Sequence, residues 1–362
     1  MRDLRSEAMP ESAQETWSNF HQPPCSVAER ANTRRMSSCP LPTRRDFIAS
    51  TSLALAAAAV LPSSTRTQAQ PAPRNPGPKH PLIGCYAPRV FVKFNLGTDA
   101  LLDAAQAAGF QSVDMLGGGS GAARVRGTPE APEAIRAKLE ARGLVSTVGS
   151  LVVPEKVPHA EAVAATRAQL TRMHLIGQKY ALCGGLYNEA QWVPFCKVLT
   201  AAAAFSQDLG IQVTTKYHHG LNNTSVELLG WLYQVNHPNF RLFFDPGNFI
   251  YYTGKDPMKQ LEILGPHIVG WVAKDCAGPQ YLERMSGDPG FGTSKPDSSG
   301  NEVMIQFGTG KVDFAAVYRK LKTYGFNGVI YVEGTIAGDT VEATVANARA
   351  NLTYLEKALA QA

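Results

Sequence analysis

Five apolar runs in this chain end on residues that can hold charge or move protons. "TTKYHHG" (214–220) carries Lys216, His218 and His219, and "FRLFFDPGN" (240–248) carries Asp245 and Asn248. "IVGWVAKD" (268–275) closes on Lys274 and Asp275, "IYVEGT" (330–335) contains Glu333, and "SVDML" (112–116) contains Asp114. A charged group after an apolar run needs a partner or a solvated cavity. An ammonium can stabilise a developing oxyanion, and an imidazole or carboxylate can take a proton. Histidine with carboxylates can also hold a divalent ion. Each residue alone has a plainer reading. His218 and His219 suit a loop, Asp245 suits a turn before Pro246–Gly247, and Glu333 suits an ion pair with Lys274. Their common place at the ends of apolar runs makes the joint case.

The elements that would position them alternate regularly. Short β-branched or apolar runs fall at 81–87, 112–116, 144–151, 180–185, 211–219, 240–246, 268–275 and 328–334. Helical patterns separate them. "TDALLDAAQAAGF" has Thr98 as its expected N-cap and Gly109 as its stop. "TPEAPEAIRAKLEARG" opens on proline and acids and closes on Arg142 and Gly143, matching the helix dipole. Further helices are expected near 160–177, 191–210, 224–236, 256–265, 313–325 and 340–360. Eight strands alternating with eight helices predict one (β/α)₈ TIM barrel. An open doubly wound sheet would carry a glycine-rich turn after its first strand, and "PRVFVKFNLGTDA" has none. In a barrel the strand C-termini line the mouth, so the residues above gather there. Lys216 and His218 should face the cavity, with Thr215 and Tyr217 turned to the helices. The long insert 276–310, rich in Gly, Ser, Asp and Pro, would lie on the same face.

Before the barrel stands a different kind of sequence. "TRRDFIAS" leads into "IASTSLALAAAAVL", two arginines and then a modest apolar stretch of small residues. Arg44, Arg45 and Phe47 resemble a twin-arginine export signal, with cleavage expected after Ala69. The apolar stretch is too short for an ordinary spanning helix, so no stable membrane span is expected after cleavage. Met36 would make a more usual start for such a signal. The expected organisation is an N-terminal extension and signal over 1–69, a Pro-rich linker over 70–80, and the barrel over 81–362. The twin-arginine machinery becomes the expected export partner, and a bacterial periplasmic or exported location follows. Of the chain's 6 cysteines, Cys85, Cys183, Cys196 and Cys276 follow the signal; with no CxxC pair they read as buried single thiols.

Charge and motifs narrow the functions. The chain's net charge is +5, and residues after 69 hold 27 basic and 24 acidic side chains. That balance does not suggest a nucleic-acid partner. "GGGSG" (117–121) and "FGTGKVDF" (307–314) lack the Gly-Lys-Ser/Thr of a phosphate loop; the second reads as a turn into an N-cap at Asp313. There is no G-x-S-x-G elbow and no HExxH helix.

"HPNFRLFFDPGNFIYYTGKDP", "IVGWVAKD", "FGTGKVDF" and "GVIYVEG" together resemble the xylose isomerase-like barrel family, over roughly residues 80–360. The likeness is to exported bacterial proteins of the sugar phosphate isomerase/epimerase type. It implies a divalent metal held by Glu, Asp, His and Glu from strands five to eight. Asp245 and Glu333 match two of these positions, but Lys216 stands at the first Glu and Val272 at the His. Lys216 could then replace the metal electrostatically; a reduced metal site of His218, Asp245 and Glu333 is the alternative. The expected activity is isomerisation, epimerisation or β-elimination of a carbohydrate by proton transfer next to a carbonyl. Lys216, His218, Lys274 and Glu333 would be catalytic, and Asp114, His219, Asn248 and Asp275 would bind substrate. A carbohydrate-binding or accessory barrel without catalysis is the competing reading. A metal-dependent phosphodiesterase of the endonuclease IV branch fits poorly, because the required His and acidic ligands are missing.

Overall fold

The computed structural model describes residues 81–116, 130–186, 188–218, 220–222, 224–278 and 304–362. The expected signal and linker, the "GGGSG" loop, His219 and residues 279–303 of the long insert lie outside the described residues.

Eight parallel strands form the sheet: β1 Ile83–Cys85, β2 Ser112–Val113, β3 Val148–Leu151, β4 Tyr180–Cys183, β5 Gln212–Lys216, β6 Phe240–Phe244, β7 Ile268–Ala273 and β8 Val329–Val332. Their order is β2-β1-β8-β7-β6-β5-β4-β3. The two end strands meet through a different kind of seam. The bridge Ser112–Val145 is joined by Val113 N–H donating to Val145 O at 2.8 Å and Met115 N–H to Val148 O at 2.7 Å. The Asp114 carboxylate reinforces it, its Oδ1 accepting from Ser112 Oγ (2.9 Å), Thr147 N (2.7 Å), Thr147 Oγ1 (2.9 Å) and Val148 N (2.9 Å). This is the expected TIM barrel.

Along each strand alternate side chains point inward. Met115, Val148, Leu182, Phe243, Val272 and Tyr331 pack together as the barrel's inner core. Gly270 makes room for Phe243: a Cβ there would lie 2.3 Å from the ring. Outward residues such as Trp271, stacked near Phe314 and Tyr318, face the helices.

The helix layer comprises α2 (Thr98–Ala108), α3 (Pro132–Glu140), α4 (His159–Ile176), α5 (Trp192–Gln207), α6 (Ser225–Val235), α8 (Pro257–Leu264), α9 (Phe314–Thr323) and α10 (Val341–Ala360). Gly109 ends α2 in the left-handed region at φ 99°, the conformation glycine adopts without steric cost. Thr98 is not the N-cap of α2, as expected, but its first residue; Gly97 holds the cap. The third strand begins at Val148 rather than 144, because Leu144–Thr147 is spent on the β2 seam. Thr224 and Asp313 cap α6 and α9, each accepting a backbone N–H three residues on. Two further helices sit in loops after strands: α1 (Ala87–Val90) after β1 and α7 (Pro246–Thr253) after β6. The Asp245–Pro246–Gly247 run reads as a turn in sequence, yet it starts a helix. Proline at the first helical position has no N–H to lose, and Asp245 Oδ1 accepts from Asn248 N at 3.0 Å as the cap.

Among the described residues no helix is long and apolar enough to cross a membrane. Cys85, Cys183, Cys196 and Cys276 are buried free thiols, and burial raises the pKa of each.

Candidate functional site

The ends of β5 to β8 meet at one point. Lys216 is the last residue of β5, in register with Phe243 of β6. Asp245, Lys274 and Glu333 each stand just past the ends of β6, β7 and β8. Glu333 is held to the neighbouring strand by its N–H, which donates to Ala273 O at 3.1 Å. Two-residue periodicity puts Asp245, Lys274 and Glu333 on the inner face, one step beyond Phe243, Val272 and Tyr331, and Lys216 reaches them from the end of β5.

There they form a closed quartet. Lys216 Nζ donates to Asp245 Oδ2 at 2.9 Å and to Glu333 Oε2. Lys274 Nζ donates to Glu333 Oε1 at 2.7 Å and to Asn248 Oδ1 at 2.9 Å, and lies 3.5 Å from Asp245 Oδ2. Asn248, on α7, also donates its side-chain N–H to Tyr217 O at 2.9 Å, so the extra helix braces both lysine-bearing strands. Tyr331 O–H reaches Glu333 Oε2 at 3.5 Å. Asp245 is fully buried, while Lys274, Lys216 and Glu333 keep 5%, 6% and 8% exposure, so the quartet is desolvated but open on the lysine and glutamate side.

The charges hold one another in place. Burial alone would push Lys216 down, but the attraction of Asp245 and Glu333 outweighs it and holds the ammonium well above the ordinary lysine range. Burial alone would raise Glu333, but Lys216 and Lys274 outweigh it and hold the carboxyl well below the usual range. Around the quartet, burial and then Glu333 push Tyr86 up to about 12 and Tyr331 well above its ordinary value. Two ammonium groups therefore face two carboxylates with no net charge. A lysine kept protonated in this way is a hydrogen-bond donor and a poor nucleophile. A glutamate kept ionised in this way is a weak base.

The remaining sequence-expected residues have other surroundings. His218 lies two residues beyond Lys216, half-buried, with Nε2 3.4 Å from Tyr252 Oη and the rings 5.2 Å apart. Tyr217 turns to the helix layer as expected, donating its hydroxyl to Thr253 Oγ1 at 2.8 Å and stacking on Phe249. Asp275, expected to bind substrate, points outward and serves the backbone. Its Oδ1 accepts from Cys276 N (2.8 Å) and Val312 N (3.1 Å), and its Oδ2 from Gly308 N and Gly310 N (both 3.0 Å). Those four donors pin the 308–312 turn to the end of β7 and leave no oxygen for a ligand. Asp114, also expected to bind substrate, sits in the β2–β3 seam, where four donors converge on its Oδ1 and its Oδ2 is buried without a hydrogen-bond partner among the described residues. Sequence reasoning did not single out Tyr331 or Tyr86. Tyr331 was within reach of it, because a residue two before Glu333 shares its face of the strand.

The donor set does not fit a divalent ion. Among the described residues, no three of His, Cys, Asp and Glu converge as metal ligands, so the expected trio of His218, Asp245 and Glu333 does not assemble. Every oxygen of Asp245 and Glu333 already accepts from a nitrogen of the quartet or of Asn248. A divalent ion among them would stand about 4 Å from two ammonium groups, each repelling it by roughly 8 kcal/mol at an effective dielectric of about 20.

Comparison with known proteins agrees with this architecture. Residues 102–358 match the sequence model of the xylose isomerase-like TIM barrel family. No curated protein matches the chain significantly. Several solved structures share the fold. A probable 3-DHS dehydratase, AsbF, from Bacillus anthracis is 14% identical with a TM-score of 0.56, covering 76% of this chain and 98% of its own. An L-ribulose 3-epimerase is 14% identical with a TM-score of 0.55, covering 76% and 95%. The IolI protein, described with a bound zinc atom, is 15% identical with a TM-score of 0.53, covering 77% and 96%. At these identities the likeness is one of fold.

Proposed function

The chain belongs to the xylose isomerase-like TIM barrel family, and on that premise we propose that it is a sugar-modifying enzyme acting by proton transfer next to a carbonyl. The observation that carries this reading is the Lys216–Asp245–Lys274–Glu333 quartet at the strand C-termini, the face where barrels of this kind place their chemistry. Epimerisation and dehydration, named for two of the fold neighbours, share a first step when the reacting carbon adjoins a carbonyl. A base takes the proton, and the electron pair moves onto the carbonyl oxygen. Fixed ammonium donors aimed at that oxygen stabilise the enolate without reorganising. The proton then returns to the same carbon from the other face, to the neighbouring carbon, or to a departing β-oxygen. These are epimerisation, isomerisation and β-elimination. With Glu333 weakened as a base by two ammonium groups, His218 is the proton acceptor. A free sugar or an oxidised glycoside is the substrate class, in keeping with export through the twin-arginine machinery, which Arg44, Arg45 and the apolar stretch after them support.

A second reading is favoured by one observation. The quartet satisfies its own charges completely, as a binding barrel without catalysis would also require. Solvent-deuterium incorporation separates the two. A panel of keto- and aldo-sugars and 3-keto-glycosides is incubated with protein in D₂O and followed by NMR. The enzyme reading expects deuterium at the carbon next to the carbonyl, reduced at least 100-fold in His218→Gln. Sugar binding by calorimetry with no exchange anywhere in the panel selects the binding barrel. Neither binding nor exchange sinks both.

A further inference from the structure

We propose that Lys216 and Lys274 are this barrel's resident cation: the two ammonium groups occupy the place of a divalent ion, and the site works without added metal. The part concerning turnover rests on the proton-transfer reading above; the part concerning the cation stands on the geometry alone.

Three observations converge. First, the pair supplies the charge a divalent ion would supply, balanced by Asp245 and Glu333. Second, the carboxylate oxygens are engaged one by one. Asp245 Oδ2 and Glu333 Oε2 accept from Lys216, Glu333 Oε1 accepts from Lys274, and Asp245 Oδ1 caps α7 at Asn248 N. Each oxygen therefore already carries a donor that a metal would have to displace or share. Third, the layer beneath is apolar. Val272 is fully buried among Met115, Val148, Leu182, Phe243 and Tyr331, so β7 offers a ligand neither there nor at Lys274. The consequence for a ligand is specific. An ammonium has three N–H donors, and Lys216 gives two of them to Asp245 and Glu333. Its third is available to one neutral acceptor, such as a sugar carbonyl or hydroxyl. The site would therefore prefer uncharged keto-sugars over phosphorylated ones, because the quartet has no excess positive charge to offset a phosphate.

The test is a metal titration of the full chain after dialysis against EDTA, using Mn²⁺ followed by electron paramagnetic resonance and Zn²⁺ followed by a competing chelating dye. The wild type is expected to bind neither stoichiometrically, and its thermal midpoint should be unchanged by EDTA. Lys216→Glu combined with Val272→His is expected to take up one equivalent of Mn²⁺ or Zn²⁺, with a midpoint that rises with metal concentration. Adding Asp245→Asn to that variant should abolish the uptake. One equivalent bound by the wild type and lost in Asp245→Asn would overturn the proposal. So would a double variant that is folded by circular dichroism yet binds no metal. If the double variant fails to fold with or without metal, the wild-type titration decides alone. Because metal uptake is read without any substrate, a protein that turns over no sugar can still pass or fail this test, so the two readings fail separately.

Discussion

Lys216 at the end of β5 and Glu333 just past β8 are hydrogen-bonded partners 117 residues apart. Two strands separate them in the sheet, so the contact spans the barrel mouth rather than running along a ladder. It binds the second half of the barrel across its opening, and Lys274 and Asp245 complete the ring.

Removing one member of that ring leaves a buried charge without its partner. Lys216→Met keeps the apolar stem and removes the ammonium. We expect a loss of about 3–5 kcal/mol, the usual cost of breaking a buried pair from one side, measured by urea unfolding at pH 7. Lys216→Met with Glu333→Gln should recover part of it, because one positive and one negative charge then leave together. A single-variant loss under about 1 kcal/mol would mean that the quartet contributes nothing to folding.

The contribution of Lys216 and Glu333 to stability should be flat over a wide range of pH. Glu333 lies below its ordinary 4.5 in the folded state, so its contribution is complete above that value and fades only as pH falls through the depressed folded pKa. Lys216 lies above its ordinary 10.5, so its contribution is complete below that value and is lost as pH rises beyond it. Chemical denaturation at intervals from about pH 5 to pH 10 checks this. A pH-dependent loss within that window that disappears in Lys216→Met with Glu333→Gln would show that the ring titrates there.

Asp275 is expected to act through the loop. Asp275→Ala strands the backbone N–H groups of Cys276, Gly308, Gly310 and Val312. With charge-assisted bonds contributing about 1.5–3 kcal/mol each, a loss of at least about 3 kcal/mol is expected. Hydrogen exchange at Gly308 and Gly310 should accelerate well ahead of that in β7. Unchanged exchange at those two amides would disprove the anchor.

The β2–β3 seam should fail when crowded. An added Cβ at Gly84 would lie 1.9 Å from Asp114 Oδ2, and four donors on Oδ1 prevent that carboxylate from swinging away. Gly84→Ala should therefore destabilise by about 1–3 kcal/mol, the usual range for overpacking. Asp114→Ala should also destabilise while leaving sugar affinity unchanged in the folded fraction. A selective loss of sugar binding with normal stability would return Asp114 to the binding site.

Much of the architecture was legible one residue at a time. All eight strands fall within the expected runs, since apolar strands between helical patterns can be buried only as a parallel sheet with helices outside. The end of α2 at Gly109 and the cap at Asp313 were readable for the same reason: each depends on bonds within a few residues. Helix α7 was not readable, because Asp-Pro-Gly serves equally as a turn and as a helix start. Only the docking of Asn248 between Lys274 and Tyr217 distinguishes the two.

The same division runs through the site. By itself the sequence determined that Lys216, Asp245, Lys274 and Glu333 would share one end of a barrel, because strand position and two-residue periodicity are local properties. It also placed Asp114 and Asp275 there, since an acid after an apolar run looks the same whatever it meets. Only the tertiary structure decided that Asp114 closes a seam, that Asp275 pins a turn, and that the other four neutralise one another. The reason is that a buried charge is defined by its partners, and these partners come from strands far apart in sequence, which only the closing of the barrel brings within hydrogen-bonding distance.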